Sequence, residues 1–209
     1  MRGAKRFRFL VLPISAAIII ALCVWKVSQP PAQNPASDQS TITLRQAPDF
    51  AVYDARKPQR LVRLSSYLGR HRILLVFFDG QKPFDSDPVI RKLTKSADAL
   101  ESRGIKLFAL SSALPQTNRG RMKTINPDQP RWVFPILSDP TFATQRAYRR
   151  IDEDSSKPKT QTMQSLRELP GVFLIDRAGR IPYRGDRPIP LADPMQTIDA
   201  LASGSDDGL

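Results

Sequence analysis

An α/β sandwich, with a central mixed sheet covered by helices on both faces, is the architecture this chain predicts, and three observations predict it. The runs Ile73–Phe78 and Ile105–Leu110 are apolar with little polar alternation, as strands buried on both faces are. Between them Val89, Ile90, Leu93, Ala97 and Leu100 recur at helical spacing. Further on, two apolar runs flank the turn Arg177-Ala178-Gly179, and a helical stretch follows. Strands that alternate with helices and end in a hairpin and a helix make a layered α/β domain.

Each element has its own local cause. Phe50–Tyr53 and Leu61–Leu64 read as short strands, and Ser65-Ser66 caps a turn leading to Gly69. After the central strand Ile73–Phe78, Asp87-Pro88 supplies an N-cap and a proline at the first helical position. Gly104 stops that helix, and Ile105–Leu110 is the next strand. Arg119–Ile125 is a weak helix, and Val133–Leu137 a strand interrupted by Pro135. The Ser138-Asp139-Pro140 cap opens a short helix over Thr141–Arg150. Gly171–Asp176 and Ile181–Arg184 form the hairpin, and Leu191–Ala202 the closing helix.

The N-terminus has a different chemistry. Phe9–Trp25 is a 17-residue uncharged run flanked by Arg2, Lys5, Arg6, Arg8 and Lys26. As a helix it spans roughly 25 Å against a hydrocarbon core of about 30 Å, and snorkelling Arg8 and Lys26 with interfacial Trp25 cover the shortfall. An uncleaved signal anchor is favoured over a cleaved signal peptide, because no small-x-small pair closely follows the run. Lipidation at Cys23 is disfavoured by the preceding Leu22. The basic flank holds the N-terminus inside and sends the remainder outside the cytoplasm.

Four segments result: a transmembrane anchor 1–26, a Pro/Gln/Ser-rich tether 27–42, a folded domain 43–202 and an acidic tail 203–209. Cys23 is the only cysteine, so the exported domain forms no disulfide and depends on its core. The net charge is +12; removing the five basic residues that flank the anchor leaves +7.

Several blocks, in this order and spacing, resemble the peroxiredoxin / alkyl hydroperoxide reductase (AhpC/TSA) family of the thioredoxin-like superfamily. They are Ala47-Pro48-Asp49-Phe50, Leu64–Gly69 with Ile73–Phe78, Pro135–Pro140, Arg146-Ala147-Tyr148, Asp152-Glu153-Asp154 and Val172–Ile181. The resemblance covers about residues 46–184 and implies a thioredoxin-like sandwich that, in active members, reduces peroxides with a peroxidatic cysteine. That cysteine belongs to a Pro-x-x-x-Thr/Ser-x-x-Cys loop after the Val-Phe-Phe strand. Counting from Phe78 puts Asp79 at the proline, Pro83 at the threonine and Ser86 at the cysteine. The arginine that members often carry before the Phe-Leu-Ile-Asp strand falls near Pro170, which instead matches the cis-proline of thioredoxin-like proteins facing the redox loop. The family's central chemical roles do not transfer.

Ser86 does not replace the thiol, since a hydroxyl cannot pass through a sulfenic acid and a serine nucleophile needs a base. The sole histidine, His71, lies at the far end of the same strand, roughly 26 Å from Asp79 at the rise of an extended chain. Ser86 therefore reads as a helix cap and His71 as a solvated strand-edge residue. Asp79, Asp85 and Asp87 have hard-cation chemistry without the spacing of a calcium loop, so turn and cap duties account for them. No zinc or copper set, phosphate-cradling loop or dinucleotide fingerprint occurs in the sequence, and no cofactor is expected. Arg56, Lys57, Arg60, Arg63, Arg70, Arg72, Arg119, Arg121, Lys123, Arg149 and Arg150 make the domain basic. That charge suits a solvated face, an anionic membrane surface or an acidic partner.

The expected function is that of a membrane-anchored, exported, non-catalytic binding or scaffolding module. Its partners are the lipid bilayer, through the N-terminal helix, and an unidentified protein, with no nucleic acid. The alternatives are an antioxidant oxidoreductase, as the resemblance implies, and a basic domain docking on the membrane surface.

Overall fold

The computed structural model describes residues 41–125, 133–149 and 169–205, all within one compact unit, Thr41–Leu209. The predicted anchor 1–26 lies outside the described residues, as do the tether up to residue 40, Arg150, the Asp152–Asp154 block and the tail from residue 206. Among the described residues, no helix is long and apolar enough to cross a membrane.

The strands in chain order are β1 (Ile42–Gln46), β2 (Ala51–Asp54), β3 (Leu61–Arg63), β4 (Arg72–Phe77), β5 (Ile105–Ser111), β6 (Ile136–Ser138), β7 (Val172–Ile175), β8 (Arg180–Arg184) and β9 (Arg187–Pro188). The helices are α1 (Pro88–Ser102), α2 (Pro115–Ile125), α3 (Ala143–Arg149) and α4 (Pro194–Ser203), with 3-10 turns at Leu64–Ser66 and Phe84–Ser86. Six strands form one sheet in the order β3-β2-β6-β5-β4-β7. β4, β5 and β6 run parallel, while β7, β2 and β3 are antiparallel to their neighbours, so the sheet is mixed as expected.

The lack of alternation in β4 is explained by its two buried faces. Leu74, Val76 and Phe78 pack with Ile90, Leu93, Ala97 and Leu100 of α1 and with Ile198 and Leu201 of α4. Ile73, Leu75 and Phe77 face the second core, with Phe50, Val52, Leu64, Phe173, Ile181 and Tyr148 of α3. Burying each large aliphatic side chain contributes roughly 1.5–3 kcal/mol, so a cysteine-free domain has its main stabilising term here.

Capping follows the sequence closely. The Asp87 carboxylate accepts from the N–H groups of Val89 (2.9 Å) and Ile90 (3.2 Å), with Pro88 at the first helical position. Asp139 caps α3 from a distance, accepting from the N–H groups of Ala143 (3.1 Å) and Gln145 (3.0 Å) and from the Thr141 hydroxyl (3.2 Å). Gly204 ends α4 at φ +83, a left-handed conformation that glycine adopts without strain.

Four expectations need correction. Gly171–Asp176 and Ile181–Arg184 are not a hairpin ladder. The turn closes through Gly179 N–H to Asp176 O (2.9 Å) and Asp176 N–H to Arg180 O (3.0 Å), but β7 and β8 then join different sheets. The edges of β8 are taken by β1 and β9 in a three-stranded sheet. Helix α2 begins at Pro115 rather than Arg119, because proline at a helix start costs no hydrogen bond. Strand β6 begins only at Ile136, since Pro135 has no N–H to give and contributes only its carbonyl, to Ala109 N–H (3.1 Å). Finally, Leu169–Pro170 is not cis; among the described residues the cis peptide is Lys57–Pro58. Gly171, which leads into β7, has φ +107, a conformation open to glycine.

Candidate functional site

Parallel β4 and β5 end at one edge of the sheet, the place where α/β folds put their ligands. The loop Phe78–Asp87 crosses that edge and carries Pro83 and Ser86. Asp79 opens it as a local turn: its carboxylate accepts from Gln81 N–H (2.8 Å), its carbonyl accepts from Lys82 N–H (3.1 Å), and Lys82 Nζ lies 3.8 Å from the carboxylate. Phe84 is buried and meets Phe78 edge-on at 4.9 Å between ring centroids, clamping the middle of the loop onto the α1 core. Arg121 of α2 reaches across to donate to the Lys82 carbonyl (3.2 Å).

Ser86 is exposed, and its hydroxyl donates to the Pro83 carbonyl at 2.6 Å. Its own N–H donates to the same carbonyl at 3.1 Å. Of the two residues read as caps, Asp87 fills the role, its side chain holding the free N–H groups of α1, while Ser86 closes the preceding 3-10 turn. The dipole and donors that stabilise a thiolate at a helix N-terminus are thus occupied by a carboxylate one residue later. His71 precedes β4, at the opposite end of the strand from this loop, as the chain count required. Its Nδ1 is buried without a hydrogen-bond partner among the described residues, so it is less solvated than expected.

Pro170 is buried and stays at this edge, because the carbonyl of the next residue, Gly171, accepts from Phe77 N–H (3.0 Å) at the end of β4. The structure therefore brings Pro83, Ser86 and Pro170 to one end of the sheet, with Pro170 in the trans form. Asp79 and Asp87 serve the turn and the cap.

A buried polar cluster beneath this edge escaped the sequence reading. Asn118 of α2 is fully buried, accepts from the Ser111 hydroxyl (3.1 Å) and donates to the Ser138 hydroxyl (2.8 Å). It ties α2 to the ends of β5 and β6. A signal was available: Ser111 and Ser138 each end a strand, after the apolar runs Leu107–Leu110 and Ile136-Leu137. Gly80 sits directly over it, where a Cβ would come within 2.7 Å of the Ala113 Cβ and 2.8 Å of the Ser111 Oγ. That close approach requires glycine.

Part of the basic surface has structural work. Arg56 is held by Asp54 (2.7 and 2.8 Å), Arg119 donates to the Ala55 carbonyl (2.8 Å), and Arg121 reaches Lys82. On the face of the sheet opposite α1, Tyr148 packs against Phe77 and Phe173 with centroids 5.3 and 5.0 Å away. Burial pushes its phenol far above the ordinary tyrosine value, with smaller contributions from Tyr183 and Asp49. Its hydroxyl has no hydrogen-bond partner among the described residues.

The mitochondrial 2-Cys peroxiredoxin of Plasmodium falciparum superposes with a TM-score of 0.50 at 17% identity, covering 79% of this chain and 97% of that one. The 2-Cys peroxiredoxin of Plasmodium vivax gives 0.48 at 19% identity over 77% and 96%. A secreted disulfide oxidoreductase of Mycobacterium tuberculosis gives 0.45 at 13% identity over 74% and 95%. Likeness at these identities concerns the fold alone. No curated protein matches the chain. Residues 43–184 match the AhpC/TSA family, so with its peroxiredoxin-type architecture and Ser86 in the loop after β4, the chain is a member of that family.

Proposed function

We propose that this protein is a non-catalytic AhpC/TSA-family module that binds or scaffolds a protein partner, held at a membrane by its N-terminal segment with the folded domain outside the cytoplasm. One observation carries the non-catalytic reading: Ser86 at the loop's reactive position spends its hydroxyl on the Pro83 carbonyl at 2.6 Å. A hydroxyl offers no sulfur to oxidise, and the chain's sole histidine stands at the other end of β4. The basic, apolar, basic N-terminal pattern supports the anchor and its orientation.

The second reading is a peroxide-reducing antioxidant oxidoreductase, and membership of the family favours it. Peroxide consumption by the full chain, with a thiol reductant present, separates the two. The expected result is no turnover above background for either the native protein or Ser86→Ala. Turnover that disappears in Ser86→Ala would overturn the binding-module reading.

A further inference from the structure

Strand β1 is the outermost strand of its sheet and is exposed along its whole length. Ile42 and Leu44 project from one face with 58% and 60% exposure. The register fixes the direction of their polar backbone groups. Leu44 lies opposite Pro182, which has no N–H and whose carbonyl accepts from Ile189 on the far side of β8 (2.9 Å). Leu44–Pro182 is therefore a non-hydrogen-bonded pair, and the Leu44 N–H and C=O point away from β8. Ile42, two residues back, has the same phase. Among the described residues no strand pairs with this outer edge.

The charges around the edge are one-sided. Arg45 and Arg180 are neutralised by Asp186 (3.0 Å) and Asp176 (2.9 Å). Arg184, which lies opposite Ile42 on the same face, and Arg187 of β9 are exposed, and neither has an ion-pair partner among the described residues. We propose that the outer edge of β1 takes an extended acidic segment of a partner protein as an added strand. The inference rests on the binding-module reading and names its partner's chemistry.

The open N–H and C=O groups of Ile42 and Leu44 would pair with the incoming backbone. On the face that Ile42, Leu44 and Arg184 share, an apolar side chain would cover Leu44 and a carboxylate beside Ile42 would reach toward Arg184, with Arg187 adding positive charge behind it. A second copy of this chain suits the edge less well, since it would bring its own uncompensated Arg184 and Arg187 to the same face. A lipid surface offers headgroup acceptors but no backbone donors in register with the strand's C=O groups, so it matches only half of the edge.

The probe is a labelled peptide of about nine residues in which glutamate and valine take turns at every second position, with threonine between them, so that one face carries both; it is added to the full chain, with a peptide bearing lysine in place of glutamate as control. Saturable binding of the acidic peptide is expected, with slowed amide exchange at Ile42 and Leu44. Leu44→Pro, which removes an N–H outside the ladder, and the surface double variant Arg184→Glu/Arg187→Glu should each weaken binding by about tenfold or more. Equal binding of the two peptides, or an unaffected double variant, would overturn the proposal. So would protection of β1 that rises with protein concentration alone, which means a second copy, or with anionic vesicles alone, which means a lipid surface. Peroxide turnover would overturn the functional reading while leaving measured peptide binding intact; absent binding without turnover would sink only the edge proposal.

Discussion

Tyr148 carries the one buried side-chain hydroxyl without a partner among the described residues, enclosed by Phe77 and Phe173. An unpaired buried hydroxyl costs about 1–3 kcal/mol, whereas the ring contributes by packing. Tyr148→Phe is therefore expected to be neutral or to stabilise by about 1 kcal/mol, read from the denaturant midpoint. A clear loss of stability would mean that the hydroxyl has a partner. Tyr148→Ala should cost about 3–5 kcal/mol by opening a cavity. At the loop, Ser86→Cys places a thiol beside the Asp87 carboxylate, and that carboxylate already takes the α1 N–H groups. Neither neighbour favours a thiolate, so the new cysteine should titrate at or above the ordinary value of about 8.5 and react slowly with peroxide. Alkylation rate against pH in a Cys23→Ser background measures this. A strongly acidic thiol with fast turnover would show that Pro83 and the trans Pro170 are no obstacle.

Between the residue and the molecule, two devices hold the elements that frame the loop. Asp87→Ala removes the α1 cap and should cost about 1 kcal/mol, with faster amide exchange confined to the first turn of α1. Asn118→Ala leaves the Ser111 and Ser138 hydroxyls without their partner at the end of the sheet. The expected loss is about 1–3 kcal/mol, together with loosening of α2, which hydrogen exchange would register. Unchanged protection of α2 would mean that its packing on β6 suffices without the polar tie. The cap at Asp87 was legible because Asp-Pro before an apolar helical repeat has a local cause. The Asn118 tie was not, because Ser111, Asn118 and Ser138 sit on three different elements and meet only once β5, β6 and α2 are assembled.

For the molecule as a whole, the chain has one cysteine and it lies in the predicted anchor, so the folded domain owes nothing to disulfides. Its thermal midpoint should be unchanged by reducing agent; a downward shift would reveal cross-linking through Cys23. Mass spectrometry of the native protein tests the anchor: Met1–Lys26 is expected to remain attached, and a mature N-terminus beginning after Trp25 would end that idea.

By itself the sequence determined the doubly buried β4 and β5, the α1 cap and stripe, the family resemblance and the absence of a thiol at Ser86. All of these are properties of short segments or of residue identity. Tertiary structure alone decided where long-range partners compete. β8 leaves its expected hairpin because β1 and β9 occupy its edges, and β1 itself was hidden because its apolar residues face solvent instead of core. Pro170 stands at the loop's end of the sheet in the trans form because the Gly171 carbonyl accepts from Phe77 N–H at the end of β4. Local propensity names the candidates for each role, and the geometry of assembled strands chooses among them.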